Sequence, residues 1–188
     1  MMISIKKLMS TSLLLATLFF TSCTPACVDA LADLIITAAS LTSPTNSFTT
    51  GNFYPFAATI KNIIQCIAAD NSQTNLSVGY SSSYSTNPNA YAPVTSANNG
   101  TGAISGNASV QMNRQISFNR PGYYLLSVTA DNYNSVTEES ETNNNYNEPS
   151  ASIRSATAST EPTIKGIVIE VKQGGHVWKE GEPMAEIK

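Results

Sequence analysis

Strict alternation of apolar and polar residues is the feature that most limits the folds open to this chain. Tyr54, Phe56, Ala58 and Ile60 are apolar, with Thr59 and Lys61 on the other face and Pro55 and Ala57 interrupting it. Leu76, Val78 and Tyr80 alternate with Ser77, Gly79 and Ser81. Val110, Met112, Ile116 and Phe118 alternate with Gln111, Asn113, Gln115 and Ser117, and only Arg114 breaks the apolar face. Tyr124, Leu126, Val128 and Ala130 share one side of the strongest stretch. A period of two sends successive side chains to opposite faces of a sheet, so each stretch predicts a half-buried strand. Helical spacing is absent from these segments.

Residues 32–41 read as a first strand and 143–155 as a last one, with polar loops between the periodic stretches. Residues 81–99 read as a long polar loop, with room for a short edge strand in which Pro93 would be tolerated. Arg120-Pro121-Gly122 is a tight turn: Pro presets the first corner and Gly supplies positive φ at the second. Six or seven strands in about 125 residues predict two antiparallel sheets packed face to face. A Tyr just after a turn, opening a late strand, fits the tyrosine corner of Greek-key sandwiches.

The stretch from Pro121 to Asp131, followed by Val136-Thr137-Glu138-Glu139-Ser140-Glu141-Thr142-Asn143-Asn144, resembles the CARDB domain, a cell-adhesion-related domain of bacteria. Ala32-Asp33-Leu34-Ile35-Ile36 is similar to the family's opening. The resemblance spans residues 32–155 and implies an immunoglobulin-like sandwich, without naming a ligand. The Asn/Ser-rich insertion at residues 87–99 departs from the family pattern, as does the lack of a Gly-rich segment after Ile60.

The amino end has the make-up of an export signal. Lys6 and Lys7 precede an apolar run over residues 8–20, then Thr21 and Ser22. The run is too short to cross about 30 Å of hydrocarbon. Phe19-Phe20-Thr21-Ser22-Cys23 resembles the lipobox of bacterial lipoproteins, which implies cleavage before Cys23 and acylation of its thiol. The expected organisation is a signal peptide (1–22), a lipid-anchored tether (23–31), a CARDB-like sandwich (32–157), a Ser/Ala/Thr/Pro linker (158–163) and a C-terminal unit (164–188). Loss of Lys6 and Lys7 leaves eight basic against thirteen acidic residues. That balance, without clustered Lys or Arg, argues against a nucleic-acid partner. The expected location is the bacterial cell envelope, periplasmic or surface-exposed, held to the membrane through the lipid. An exported setting permits a disulfide between the remaining Cys27 and Cys66, although Cys66 in its apolar surroundings would also serve as a buried thiol.

Residues 165–187, with Gly174-Gly175 and Gly181-Glu182-Pro183, resemble the first half of a biotinyl/lipoyl-like hammerhead module. The resemblance implies a β-hairpin appendage. The attachment lysine has no counterpart, so neither biotin nor lipoate is expected. Such half-modules occur in periplasmic adaptors, which raises an accessory subunit of an envelope transport assembly as the alternative function.

Catalysis is not expected. His176 is the sole histidine, and no Ser-His-Asp order builds around it. Asp131, Asn132, Glu138 and Glu141 concentrate oxygen ligands of the kind calcium takes. Their spacing does not match an EF-hand, and side chains bonding their own backbone in turns explain the same residues better. No other cofactor is expected. Tyr80, Tyr84 and Tyr91 offer flat apolar faces with polar tips, suited to a platform for a glycan or protein partner, or else to loop packing. The function expected is a lipid-anchored, non-catalytic adhesion or protein/glycan-binding module.

Overall fold

A computed structural model describes residue 27 and residues 29–45, 47–146 and 166–188. The expected signal peptide, Cys23 and the 158–163 linker lie outside them. Nine strands follow in chain order: β1 (Leu34–Leu41), β2 (Phe48–Thr49), β3 (Phe53–Asn62), β4 (Ala69–Ser81), β5 (Ala92–Ile104), β6 (Ser109–Phe118), β7 (Gly122–Thr129), β8 (Ile167–Lys172) and β9 (Ala185–Ile187). One sheet has the order β1-β3-β6-β9 and the other β2-β8-β7-β4-β5. All pairings are antiparallel except the short β2–β8 contact. The molecule is an all-β, immunoglobulin-like sandwich.

The alternation maps onto the core as the period requires. Phe56, Ile60, Leu76, Met112, Ile116, Phe118, Tyr124 and Leu126 are all essentially inaccessible and fill the space between the sheets. Apolar burial of this kind contributes about 25 cal/mol per Å2 and is the main force closing the sandwich. Arg114, the residue that breaks the β6 pattern, sits at the sandwich margin. Its Nη2 donates to the Asn98 carbonyl at 3.2 Å and to Asn99 Oδ1 at 2.9 Å, joining β6 to β5 of the other sheet.

The turn before β7 uses its glycine as the sequence requires. Gly122 has φ of 147°, and a Cβ there would lie 2.5 Å from Tyr80 Cε2. Gly122→Ala is therefore expected to cost about 2 kcal/mol, from combined backbone strain and overpacking. Chemical denaturation would read it, and an unchanged midpoint would refute it. The tyrosine corner is built on Tyr124. Its hydroxyl lies 2.7 Å from the Arg120 carbonyl and 3.0 Å from that of Met184, sharing one proton between them.

Two segments differ from the reading of the sequence. The second part of the expected 81–99 loop, from Ala92 and including Pro93, is β5, an edge strand longer than the short one allowed for, paired along β4 from Ala69↔Ile104 to Tyr80↔Ala92. The pairing carries register shifts, including one between Val78 and Gly79, and these bulges disturb the two-residue period. Only residues 82–91 form the loop, with a 3-10 turn at Pro88–Ala90 capped by Asn87 Oδ1 accepting from Asn89 N–H at 3.0 Å.

Secondly, the C-terminal residues do not fold back as a hairpin. β8 lies between β2 and β7, whereas β9 pairs with β6 in the opposite sheet. Hairpin loops are usually two to about five residues long. The twelve-residue link between β8 and β9 is long enough to cross from one sheet to the other. Ile169 and Val171 of β8, and Ala185 of β9, are buried in the common core. The expected final strand at 143–155 is represented, among described residues, only by the bridge Thr129↔Asn145; its remainder lies outside them.

Candidate functional site

The carboxylates and amides of the closing run meet the start of β1 and the end of β3 at one pole of the sandwich. Asp131, buried at positive φ (39°), accepts from Ser135 N–H at 3.0 Å and Val136 N–H at 2.8 Å, so its two oxygens pin the turn that follows β7. Glu138 is 5% exposed. Its Oε1 accepts from Leu34 N–H at 2.9 Å and its Oε2 from Asn144 Nδ2 at 2.6 Å. Burial, partly offset by these bonds and reinforced by the nearby Glu141 and Asp131 carboxylates, pushes its pKa up to about 7. Glu141 Oε1 accepts from Glu138 N–H at 3.1 Å. Asn143 Nδ2 reaches both oxygens of Asp33, at 2.9 and 3.2 Å.

The carboxylates of Asp131, Glu138 and Glu141 each turn toward backbone N–H groups, and Asn132 is exposed. Among the described residues, no group of three or more His, Cys, Asp or Glu side chains is placed to hold a metal ion. The side chains act as turn caps, binding backbone donors that strand ends leave unpaired.

Sequence reasoning missed the hub of this pole. Asn62 is fully buried at the end of β3. Its Oδ1 accepts from Asp33 N–H at 3.3 Å and Ile64 N–H at 3.2 Å, while its Nδ2 donates to Ile67 O at 2.7 Å and Ile104 O at 3.2 Å. A lone Asn after an alternating strand reads as a turn residue; its four partners come from three separate segments. Cys27 and Cys66 are disulfide-bonded here, with Cα atoms 5.9 Å apart, tying the amino-terminal segment to the β3–β4 connection.

The three tyrosines do not form one platform. Tyr80 faces inward: its ring lies 5.2 Å from that of Tyr124, and its hydroxyl donates to Pro121 O at 3.1 Å. Arg120 stacks over it, 4.9 Å from the ring centroid, and also lies 4.6 Å from the Trp178 ring centroid. Tyr84 and Tyr91 belong to the outer face of the five-stranded sheet. Successive residues of a strand serve opposite faces, and the register of β4 sends Tyr80 to the core side, away from them. Tyr84 packs against Tyr123 with centroids 6.0 Å apart. Tyr91 is buried beside Leu125 and Val168, and its hydroxyl donates to Ser85 O at 2.8 Å, fixing the 82–91 loop. Burial raises the Tyr91 pKa, so the phenol stays a neutral donor.

On this outer face lies a groove of about 590 Å3. β4 supplies Asn75, Ser77 and Gly79, β5 supplies Pro93, Thr95 and Ser96, and Leu125 and Ser127 come from β7. A Cβ on Gly79 would lie 2.9 Å from Tyr91 Cβ, so glycine is what lets the loop settle against β4. At the far end, Asn75 Nδ2 donates to Asn98 Oδ1 at 2.8 Å, and Asn98 Nδ2 donates to the Tyr133 hydroxyl at 2.7 Å.

His176 occupies the link between β8 and β9, its Nε2 3.0 Å from Glu182 Oε2. Glu182 is held below the usual carboxylate range, first by the Lys179 N–H and then by His176. β7 pairs with β8 along one edge, from Ile167 to Val171, while on the other edge β2 pairs only with Val171 and Lys172.

Comparison with known proteins gives a consistent family. The CARDB family model matches residues 31–148. No curated protein matches the chain. Among solved structures, the chain is similar to the CARDB domain of a Pyrococcus furiosus protein, crystallised in complex with di-metal ions, at 12% identity and a TM-score of 0.48. That match covers 75% of this chain and 89% of the other. A solution NMR structure of the same domain matches at 14% identity and a TM-score of 0.48, covering 76% and 97%. A β-glucosidase from Listeria innocua, in complex with gluconolactone, matches at 11% identity and a TM-score of 0.38, over 78% of this chain and 17% of that one.

Proposed function

The chain belongs to the CARDB family, whose domain is a non-catalytic β-sandwich with an adhesion-related name, and on that premise we propose that it is an exported, lipid-anchored recognition module of the bacterial cell envelope. The observation that carries this reading is the Cys27–Cys66 disulfide. Disulfides persist in oxidising compartments outside the cytoplasm. This one lies four residues beyond Cys23, where an acyl chain would be attached. An anchor at Cys23 with a staple at Cys27 would hold the pole of the β3–β4 connection close to the bilayer. The β4–β5 loop and the outer face of β4, β5 and β7 would then extend away from it, free to meet a protein or glycan partner. Two acyl chains anchor a protein stably where one is marginal.

Metabolic palmitate labelling with and without globomycin tests the anchor. The expected result is a labelled protein in the membrane fraction, with label lost in a Cys23→Ser variant and the precursor accumulating under globomycin. A protein that takes no Cys23-dependent label, or that washes from membranes in plain buffer, overturns the anchoring.

A further inference from the structure

We propose that the groove on the outer face of β4, β5 and β7 binds a neutral polysaccharide. This deepens the recognition reading above, on which it rests, and is independent of the lipid anchor. The lining contains no Asp, Glu, Lys, Arg or His, although the chain carries a net charge of −3. An uncharged lining offers a charged ligand no compensation for its lost hydration, and so selects against it. The rim is formed by amides and hydroxyls such as Asn75, Ser77, Thr95 and Asn132. Each such group offers both donors and acceptors, matching sugar hydroxyls, which are likewise both at once. The floor is apolar, with the exposed Pro93 beside the largely buried Leu125 and Tyr91. Such a floor can receive the C–H face of a pyranose ring while the rim bonds its edge.

Shape favours a chain over a compact small molecule. The β4 side runs from Asn75 to Gly79, about 14 Å at a strand's rise per residue. Pro93, Ser96 and Asn132 along the rim are exposed, leaving the groove open to solvent. One wall, Tyr91 to Ser96, comes from the Asn/Ser-rich stretch that departs from the family pattern.

Affinity electrophoresis of the detergent-solubilised full-length protein tests the proposal, in native gels containing a β-glucan, a mannan, a xylan or the acidic polygalacturonate. Mobilities are referred to a gel without polysaccharide, so that charge changes cancel. The expected result is retardation in at least one neutral gel and none in polygalacturonate. Ser77→Arg and Thr95→Arg each place a long charged side chain across the groove. Each is expected to weaken retardation at least tenfold while leaving the melting temperature nearly unchanged. Unaltered mobility in every neutral gel overturns the proposal, as does retardation by polygalacturonate alone. So does undiminished retardation of both variants. Palmitate labelling with unretarded migration would remove the groove and leave the anchor; the reverse pattern would do the opposite.

Discussion

A Cys27→Ser/Cys66→Ser double variant is expected to melt roughly 10 °C below the native chain. The disulfide joins residues 39 apart in sequence. Loop-closure entropy for a loop of that size destabilises the unfolded chain by about 4 kcal/mol. Each kcal/mol moves the midpoint by roughly 2–4 °C for a domain of this size. The native fold has little reason to rearrange, because Cys66 is exposed rather than packed in the core and Asn62 independently holds the neighbouring connection through Ile64 and Ile67. The loss should therefore appear mainly as a lower midpoint with the native circular dichroism retained at room temperature. Adding a thiol reductant to the wild type should reproduce it. Coincident melting curves for native, reduced and doubly substituted protein would refute the staple as a stabilising element.

Glu138→Gln is expected to abolish a pH dependence of stability that the native chain shows between about pH 4.5 and 7. The folded-state pKa of Glu138 is raised from 4.5 to about 7. A raised carboxylate pKa means that the folded protein keeps a proton which the unfolded chain has already released. Stability from this group is fully present below pH 4.5 and is lost as pH rises through about 7. At about 1.4 kcal/mol per unit, the full loss is about 3.5 kcal/mol, or roughly 7–14 °C. The glutamine side chain is neutral throughout, so the variant should be flat in this window and more stable than wild type at pH 8. The exchange also suits its neighbours. Asn144 Oδ1 is buried without a partner while Nδ2 faces Glu138. With the introduced amide donating, the Asn144 side chain can turn so that its oxygen accepts. Thermal melts of both proteins from pH 4 to 8 decide it: parallel loss of stability in the two would assign the titration elsewhere.

How much was legible depended on whether a residue's role is local. Tyr54, Phe56, Ala58 and Ile60 announced their buried face because a strand's geometry is fixed by its own backbone. Gly122 was readable for the same reason: φ at a turn corner belongs to that residue. The polar edge strand β5 was legible only as room for a short strand around Pro93, not in its full length. Thr95, Ser96, Asn98 and Asn99 carry no apolar stripe, because little packs over them; main-chain bonds to β4 hold them instead. Asn62 and Glu138 were equally opaque in their roles. Their partners lie as far as 104 residues away, and only closure of the sandwich brings them within bonding distance. The tyrosines show both sides: their type suggested recognition, but which sheet face each would occupy depended on strand register.

The residues alone determined that this chain forms face-packed antiparallel sheets, which positions point inward, and which family it joins, because period, turn chemistry and motif are properties of contiguous segments. Tertiary structure decided that β8 and β9 complete opposite sheets, that the carboxylates of the acidic run cap backbone ends, and that an uncharged groove forms beneath the β4–β5 loop. Each of those outcomes is settled by contacts between distant segments, whose free energies exist only once the sheets have closed.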